Sequence, residues 1–129
     1  ALAPEGSLIF HGGVTDEEYA ALLDSATALV TASRNEGFGI PLVESMARGT
    51  PVVVSDIPVF REVGADAALY FAADDPSALA AQVRTLEVPG EWAGRSAAST
   101  ARAEHYSWDN AAASLLEVLT RVAESRASR

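Results

Sequence analysis

The sequence contains no cysteine and no lysine. Without cysteine, disulfides and thiolate metal sites are excluded, and a reducing compartment is compatible with the composition. Without lysine, all nine basic side chains are arginines, set against eighteen acidic ones for a formal net charge of −9. That balance argues against nucleic acid as a partner, because phosphate binding needs clustered basic groups. With alanine so abundant, the missing lysine reads as GC-rich codon usage rather than as a surface built for anions. No apolar run approaches the roughly 18 residues of a membrane-spanning helix, and no basic-then-apolar signal opens the chain. The first residue is not methionine, which raises the expectation of one piece of a longer protein.

The 129 residues, 49% of them hydrophobic, are enough for one domain with a real core. Such a chain has the apolar surface that a disordered one lacks. The predicted order of elements alternates strand and helix. Ser7-Leu8-Ile9-Phe10 reads as a strand stopping at Gly12-Gly13. Thr15 and Glu18 match a capping box, and the helix after them carries Tyr19, Leu22, Leu23 and Ala26 on one face. Ala28–Ala32 is a second strand, Pro41 opens a helix that Gly49 ends, and Pro51–Ser55 is a continuously apolar third strand. A short helix over Pro58–Val63 and a fourth strand over Ala68–Phe71 follow. Asp75 caps a helix to about Leu86, and the chain is helical beyond Pro89-Gly90. Ser107 caps a last helix whose Trp108, Ala111, Leu115, Leu116, Leu119 and Val122 form an apolar stripe, with Trp108 expected in the core and Glu124–Arg129 expected to fray. The expected fold class is therefore α/β: a parallel sheet with helices on both faces, residues 1–129 forming one domain without internal repeats.

One stretch stands out, Arg34-Asn35-Glu36-Gly37-Phe38-Gly39-Ile40-Pro41-Leu42-Val43-Glu44. It falls between a predicted strand and a predicted helix, where open parallel sheets bind ligands. Gly37 and Gly39 let the backbone adopt positive φ or approach a ligand closely. The amides of Gly39, Ile40 and Leu42 are expected to be free at the helix start, where the dipole favours an anion such as a diphosphate. Glu36 hangs in the loop, and Glu44 is expected in the first helical turn. Carboxylates accept hydroxyl hydrogen bonds, so the pair suits a sugar and a ribose. Each part also has a bland reading: the glycines as punctuation, Glu44 as a dipole-complementing surface residue, Arg34 as a solvated loop cation. The whole string is more specific than its parts.

That string, within "EGFGIPLVESMARGTPVVVSDIPVFREV" over residues 36–63, resembles the retaining group 1 (family 4) glycosyltransferases of the GT-B fold, whose E-x7-E signature is matched by Glu36 and Glu44. The resemblance extends over most of the chain. It implies the Rossmann-like, nucleotide-sugar-binding half of a two-domain enzyme, entered partway, with the acceptor domain missing. By position, Glu36 binds donor-sugar hydroxyls near the reacting carbon, and Phe38, Gly39 and Ile40, beside Gly37, present backbone to sugar and diphosphate. Glu44 holds the ribose, and the Gly13-Val14 turn lies near the base. The implied reaction is transfer of a hexose from a nucleoside diphosphate sugar, GDP- or UDP-linked with a lean to GDP-mannose, to an acceptor hydroxyl with retention. No cofactor or metal is implied, and no D-x-D motif occurs. The family's Arg/Lys pair for the diphosphate lies in a segment that this chain does not contain, so the chain alone is expected not to turn over. Cytoplasmic work, peripheral to a membrane where glycolipid or polysaccharide is built, is what the resemblance suggests.

The remaining candidates have structural readings: His11 as a strand-end histidine, His105 as a surface or packing residue, Asp74-Asp75 as a cap. Two rival functions stay open. One is a GT-B nucleotide-sugar epimerase. The other is a non-catalytic α/β binding or assembly module, which would self-associate through an exposed sheet edge.

Overall fold

A computed structural model of the chain describes Pro4 and residues 6–127. Helix α1 (Asp16–Ser25) leads to strand β1 (Leu29–Thr31), α2 (Ile40–Ala47), β2 (Val52–Ser55) and α3 (Pro58–Gly64). A 3-10 turn over Ala65–Ala67 precedes β3 (Leu69–Phe71), and the helices α4 (Pro76–Thr85), α5 (Glu91–Ala103) and α6 (Trp108–Ala127) complete the order. The sheet is parallel in the order β1-β2-β3, with Leu29 beside Val52 and Val53 beside Leu69.

The central strand explains the layering. Successive side chains of a strand point to opposite faces, and all four residues of β2 are buried. Val52 and Val54 join Leu42, Met46, Phe60 and Val63 in the core under α2, α3 and α5. Val53 points the other way, into a second core with Leu69, Phe71 and Leu86, against which Leu79 and Val83 of α4 pack. Helices therefore cover both faces, as the apolar run of β2 requires.

The caps form as the sequence predicts. Thr15 Oγ1 accepts from the Glu18 amide at 3.2 Å and the Glu18 carboxylate accepts from the Thr15 amide at 2.8 Å. Asp75 Oδ1 accepts from the amides of Ser77 and Ala78, both at 2.9 Å, and Ser107 Oγ accepts from the Asn110 amide at 3.1 Å. Gly49, at φ +73°, follows the end of α2.

Two expectations fail. Residues 7–10 form no strand, and Leu8, Ile9 and Phe10 are 67%, 76% and 92% exposed. A strand needs a ladder partner, but the Ser7 amide and hydroxyl both donate to the Pro4 carbonyl in a local turn, at 3.1 and 2.6 Å. The sheet accordingly has three strands among the described residues rather than four. Trp108 is not core: it is 91% exposed, and every side chain from Trp108 to Arg126 is exposed. The stripe on α6 is amphipathic in sequence, but past its first turn no described element packs along it. The helix is continuous to Ala127; Ser128 and Arg129, part of the end expected to fray, lie outside the described residues.

Candidate functional site

The glutamate–glycine loop leaves the carboxyl end of β1 and enters α2. Three devices shape it. The first is Gly39, which adopts φ +90°, ψ 54°, a left-handed conformation that side chains resist. A Cβ at Gly39 would also stand 2.9 Å from the ring of Phe60. Gly37 differs, because φ is not positive and a Cβ there meets nothing within 4 Å. Only Gly39, then, is demanded by the chain's own packing.

The second device is a set of hydroxyls. Ser33 Oγ donates to Glu36 Oε1 at 2.7 Å, and Thr31 Oγ1 lies 3.3 Å from Ser33 Oγ. Buried Ser55, at the end of β2, donates its hydroxyl to the Ser33 carbonyl. The third is aromatic. Phe38 meets Tyr106 edge-on, with ring centroids 5.6 Å apart and planes at 79°. Tyr106 is itself held, since its hydroxyl accepts from Arg102 at 2.7 Å while Arg102 Nε donates to the Val63 carbonyl at 2.8 Å.

Helix α2 begins at Ile40, with Pro41 second. Among the described residues, the amides of Gly39 and Ile40 donate to no acceptor of the chain, whereas the Leu42 amide donates to the Gly39 carbonyl at 3.0 Å. Two of the three expected amides are therefore free, and Leu42 is corrected: the first turn of the helix consumes its donor. Glu44 is also corrected, because as the fifth helical residue it opens the second turn rather than lying in the first.

Glu44 faces α1 across a cleft of about 680 Å³ lined by Asp16, Tyr19, Leu23, Glu44 and Arg48. Burial pushes the Tyr19 phenol above its ordinary range; the Glu44 charge and a hydrogen bond to Glu44 add to this, and Arg48 opposes it. The phenol thus stays protonated in the cleft that it lines with Glu44. Arg48 Nη1 lies 2.9 Å from both carboxylate oxygens of Asp24, tying α2 to the end of α1. On its other side Glu44 borders a more apolar pocket of about 430 Å³ with Phe38, Ile40, Val43, Tyr106 and Trp108. The structure thus gathers Phe38, Ile40 and Glu44 around one pocket.

Gly13 (φ +67°) and Val14 form the turn before α1, and Val14 lines a separate cavity of about 310 Å³ with His11, Glu18 and Leu22. Arg34 makes no ion pair or hydrogen bond among the described residues. Sequence reasoning missed Ser33, Tyr19 and Tyr106. Ser33 could have been found as a hydroxyl three residues before Glu36; for the two tyrosines the sequence held no signal, because their partners are distant along the chain. No helix is long and apolar enough to cross a membrane among the described residues.

Chemically, the region offers two exposed carboxylates, two free amides at a helix start and a phenol donor, a set suited to hydroxyls and an anion together. The model of the family "Glycosyl transferases group 1" matches residues 1–91. The O-antigen chain mannosyltransferase RfbU of Salmonella typhimurium is 47% identical over 74 residues, covering 57% of this chain and 21% of that protein. A phosphatidyl-myo-inositol mannosyltransferase of Mycolicibacterium smegmatis is 38% identical over 117 residues, 88% of this chain and 30% of that protein. A GDP-mannose-dependent alpha-(1-6)-phosphatidylinositol dimannoside mannosyltransferase of Mycobacterium tuberculosis is 37% identical over 117 residues, 90% of this chain and 30% of that protein. The chain spans less than a third of the length of these relatives.

Proposed function

The chain belongs to the group 1 glycosyltransferases, and from that premise we propose that it carries the donor-binding residues of a retaining hexosyltransferase that uses GDP-mannose. The observation that carries the reading is the loop at the carboxyl end of β1, where Glu36, the free amides of Gly39 and Ile40, and Glu44 follow one another into α2. The two amides take the diphosphate, helped by the helix dipole. Glu44 accepts from the ribose hydroxyls in the cleft that it lines with Tyr19. Glu36 accepts from the donor-sugar hydroxyls and stabilises positive charge as the ring loses its leaving group. The bond from the anomeric carbon to the phosphate oxygen breaks, the acceptor oxygen bonds to that carbon on the same face, and the departing phosphate takes the acceptor's proton. Neither a metal nor a covalent sugar on Glu36 is needed.

Mannose and guanine are favoured by the names of the relatives, several of which are mannosyltransferases and one GDP-mannose-dependent. Family membership also favours transfer over epimerisation. Transfer needs an acceptor site as well, and we assign none of the described residues to one, so this stretch alone is proposed not to turn over. An assembly role has one observation in its favour, the exposed apolar stripe of α6. Sedimentation would show it as concentration-dependent self-association.

Calorimetric titration of the chain with GDP-mannose and GDP tests the site. Glu44→Gln should weaken both ligands by about tenfold or more, the scale of a hydrogen bond to a charged group. Glu36→Gln should weaken GDP-mannose alone. Equal affinities in wild type and both variants would remove these roles.

A further inference from the structure

The hydroxyls behind Glu36 form an ordered chain whose direction follows from counting protons. An ionised carboxylate only accepts, and a serine hydroxyl has one proton to give. The 2.7 Å contact therefore uses the Ser33 proton on Glu36 Oε1. The 3.3 Å contact must then run the other way, with Thr31 Oγ1 donating to Ser33 Oγ. The Ser33 backbone is pinned separately, because its carbonyl accepts from buried Ser55 on β2. Thr31 belongs to β1 and Ser55 to β2, so two adjacent strand ends fix one loop hydroxyl, and that hydroxyl fixes one carboxylate oxygen.

We propose that Ser33 is a positioning residue for Glu36: its hydroxyl holds Oε1, so that Oε2 faces the donor sugar from a single rotamer. This rests on the reading of Glu36 as the sugar-binding carboxylate. Glu36 is exposed and has no other hydrogen-bond partner among the described residues, so nothing else in the chain orders it. A loose glutamate would have to lose rotamer freedom on each binding event, and a held one does not. Ser33 acts through Glu36 and does not itself touch the sugar. Hydroxyls arranged in this way strengthen one another, so removing Thr31's donor should weaken the grip of Ser33 as well.

The test has two readouts on the chain itself. Three-bond couplings across the Glu36 Cα–Cβ bond, without ligand, should report one rotamer in wild type, averaging in Ser33→Ala and retention in Ser33→Thr. Thr31→Val, which keeps shape and loses the donor, should give partial averaging, and it serves if Ser33→Ala does not fold. The second readout is the affinity ratio of GDP-mannose to GDP: Ser33→Ala should lower it about tenfold with GDP affinity unchanged, and Ser33→Thr should restore it. Averaged couplings in wild type, or couplings that neither Ser33→Ala nor Thr31→Val alters, overturn the proposal. If wild type binds GDP and GDP-mannose equally, the sugar-binding role of Glu36 falls, while the couplings still judge whether Ser33 positions it.

Discussion

Replacing Gly39 with alanine would add one methyl group at the entry to α2, and its cost can be worked from two contributions. The backbone there has φ +90°, which an alanine adopts at a cost of roughly 1–2 kcal/mol. The methyl would also stand 2.9 Å from Cε1 and 3.4 Å from Cδ1 of Phe60. Phe60 is 1% exposed and packed in the core with Leu42 and Val63, so its ring has little room to retreat. Overpacking of that kind costs about 1–3 kcal/mol. Together these remove about 2–5 kcal/mol from a total stability of order 5–15 kcal/mol for a domain. Equilibrium urea denaturation should show the loss as a lower midpoint with an unchanged slope. Gly37→Ala is the internal control: with no positive φ and no atom within 4 Å of the new methyl, it should cost nothing and gain up to about 1 kcal/mol. If Gly39→Ala costs less than about 1 kcal/mol, or if the two variants cost the same, the description of the loop is wrong.

Ser99 is buried with its hydroxyl unpartnered among the described residues, so Ser99→Ala should stabilise by about 1 kcal/mol in the same denaturation assay, and a loss would mean that the hydroxyl has a partner. Ala65 is the one described non-glycine residue at positive φ, +44°; Ala65→Gly should be neutral to stabilising by up to about 1 kcal/mol in thermal melts, and a clear drop in Tm would refute strain there. The hydrogen bond from Arg61 holds the Asp56 carboxyl below its ordinary range, outweighing the smaller opposing effect of burial. The folded state therefore binds fewer protons than the unfolded one, so this contribution is present above the ordinary carboxylate range and is lost as pH falls through the depressed folded value. Asp56→Asn should flatten the acid limb of a stability–pH curve, and an unchanged limb would show that the pair contributes nothing.

What was legible in the sequence depended on local chemistry. The Val52–Val54 run could be read because a strand covered on both faces needs apolar side chains in both directions, and the two cores on either side of β2 bear this out. The caps at Thr15, Asp75 and Ser107 were legible because each side chain bonds an amide within three residues. Leu8–Phe10 misled, since β propensity says nothing about whether a ladder partner lies alongside. Trp108 misled for a related reason: helical periodicity identifies an apolar stripe but not what covers it. In the site, the order Glu36, Gly39, Glu44 was legible from a motif. The placement of Glu44 in the second turn, and the supports from Ser33, Tyr19 and Tyr106, depend on how the loop and its neighbouring helices fold back, which no spacing encodes.

The central claim is that the glutamate–glycine loop binds a nucleoside diphosphate sugar. The most direct test is to titrate isotopically labelled chain with GDP, UDP and ADP while following every backbone amide. Shifts should cluster on Glu36–Glu44, with the free amides of Gly39 and Ile40 moving most, smaller shifts at Gly13-Val14, and GDP the strongest of the three. Shifts confined to other surfaces, such as α6, or no shifts with any nucleotide, would contradict it.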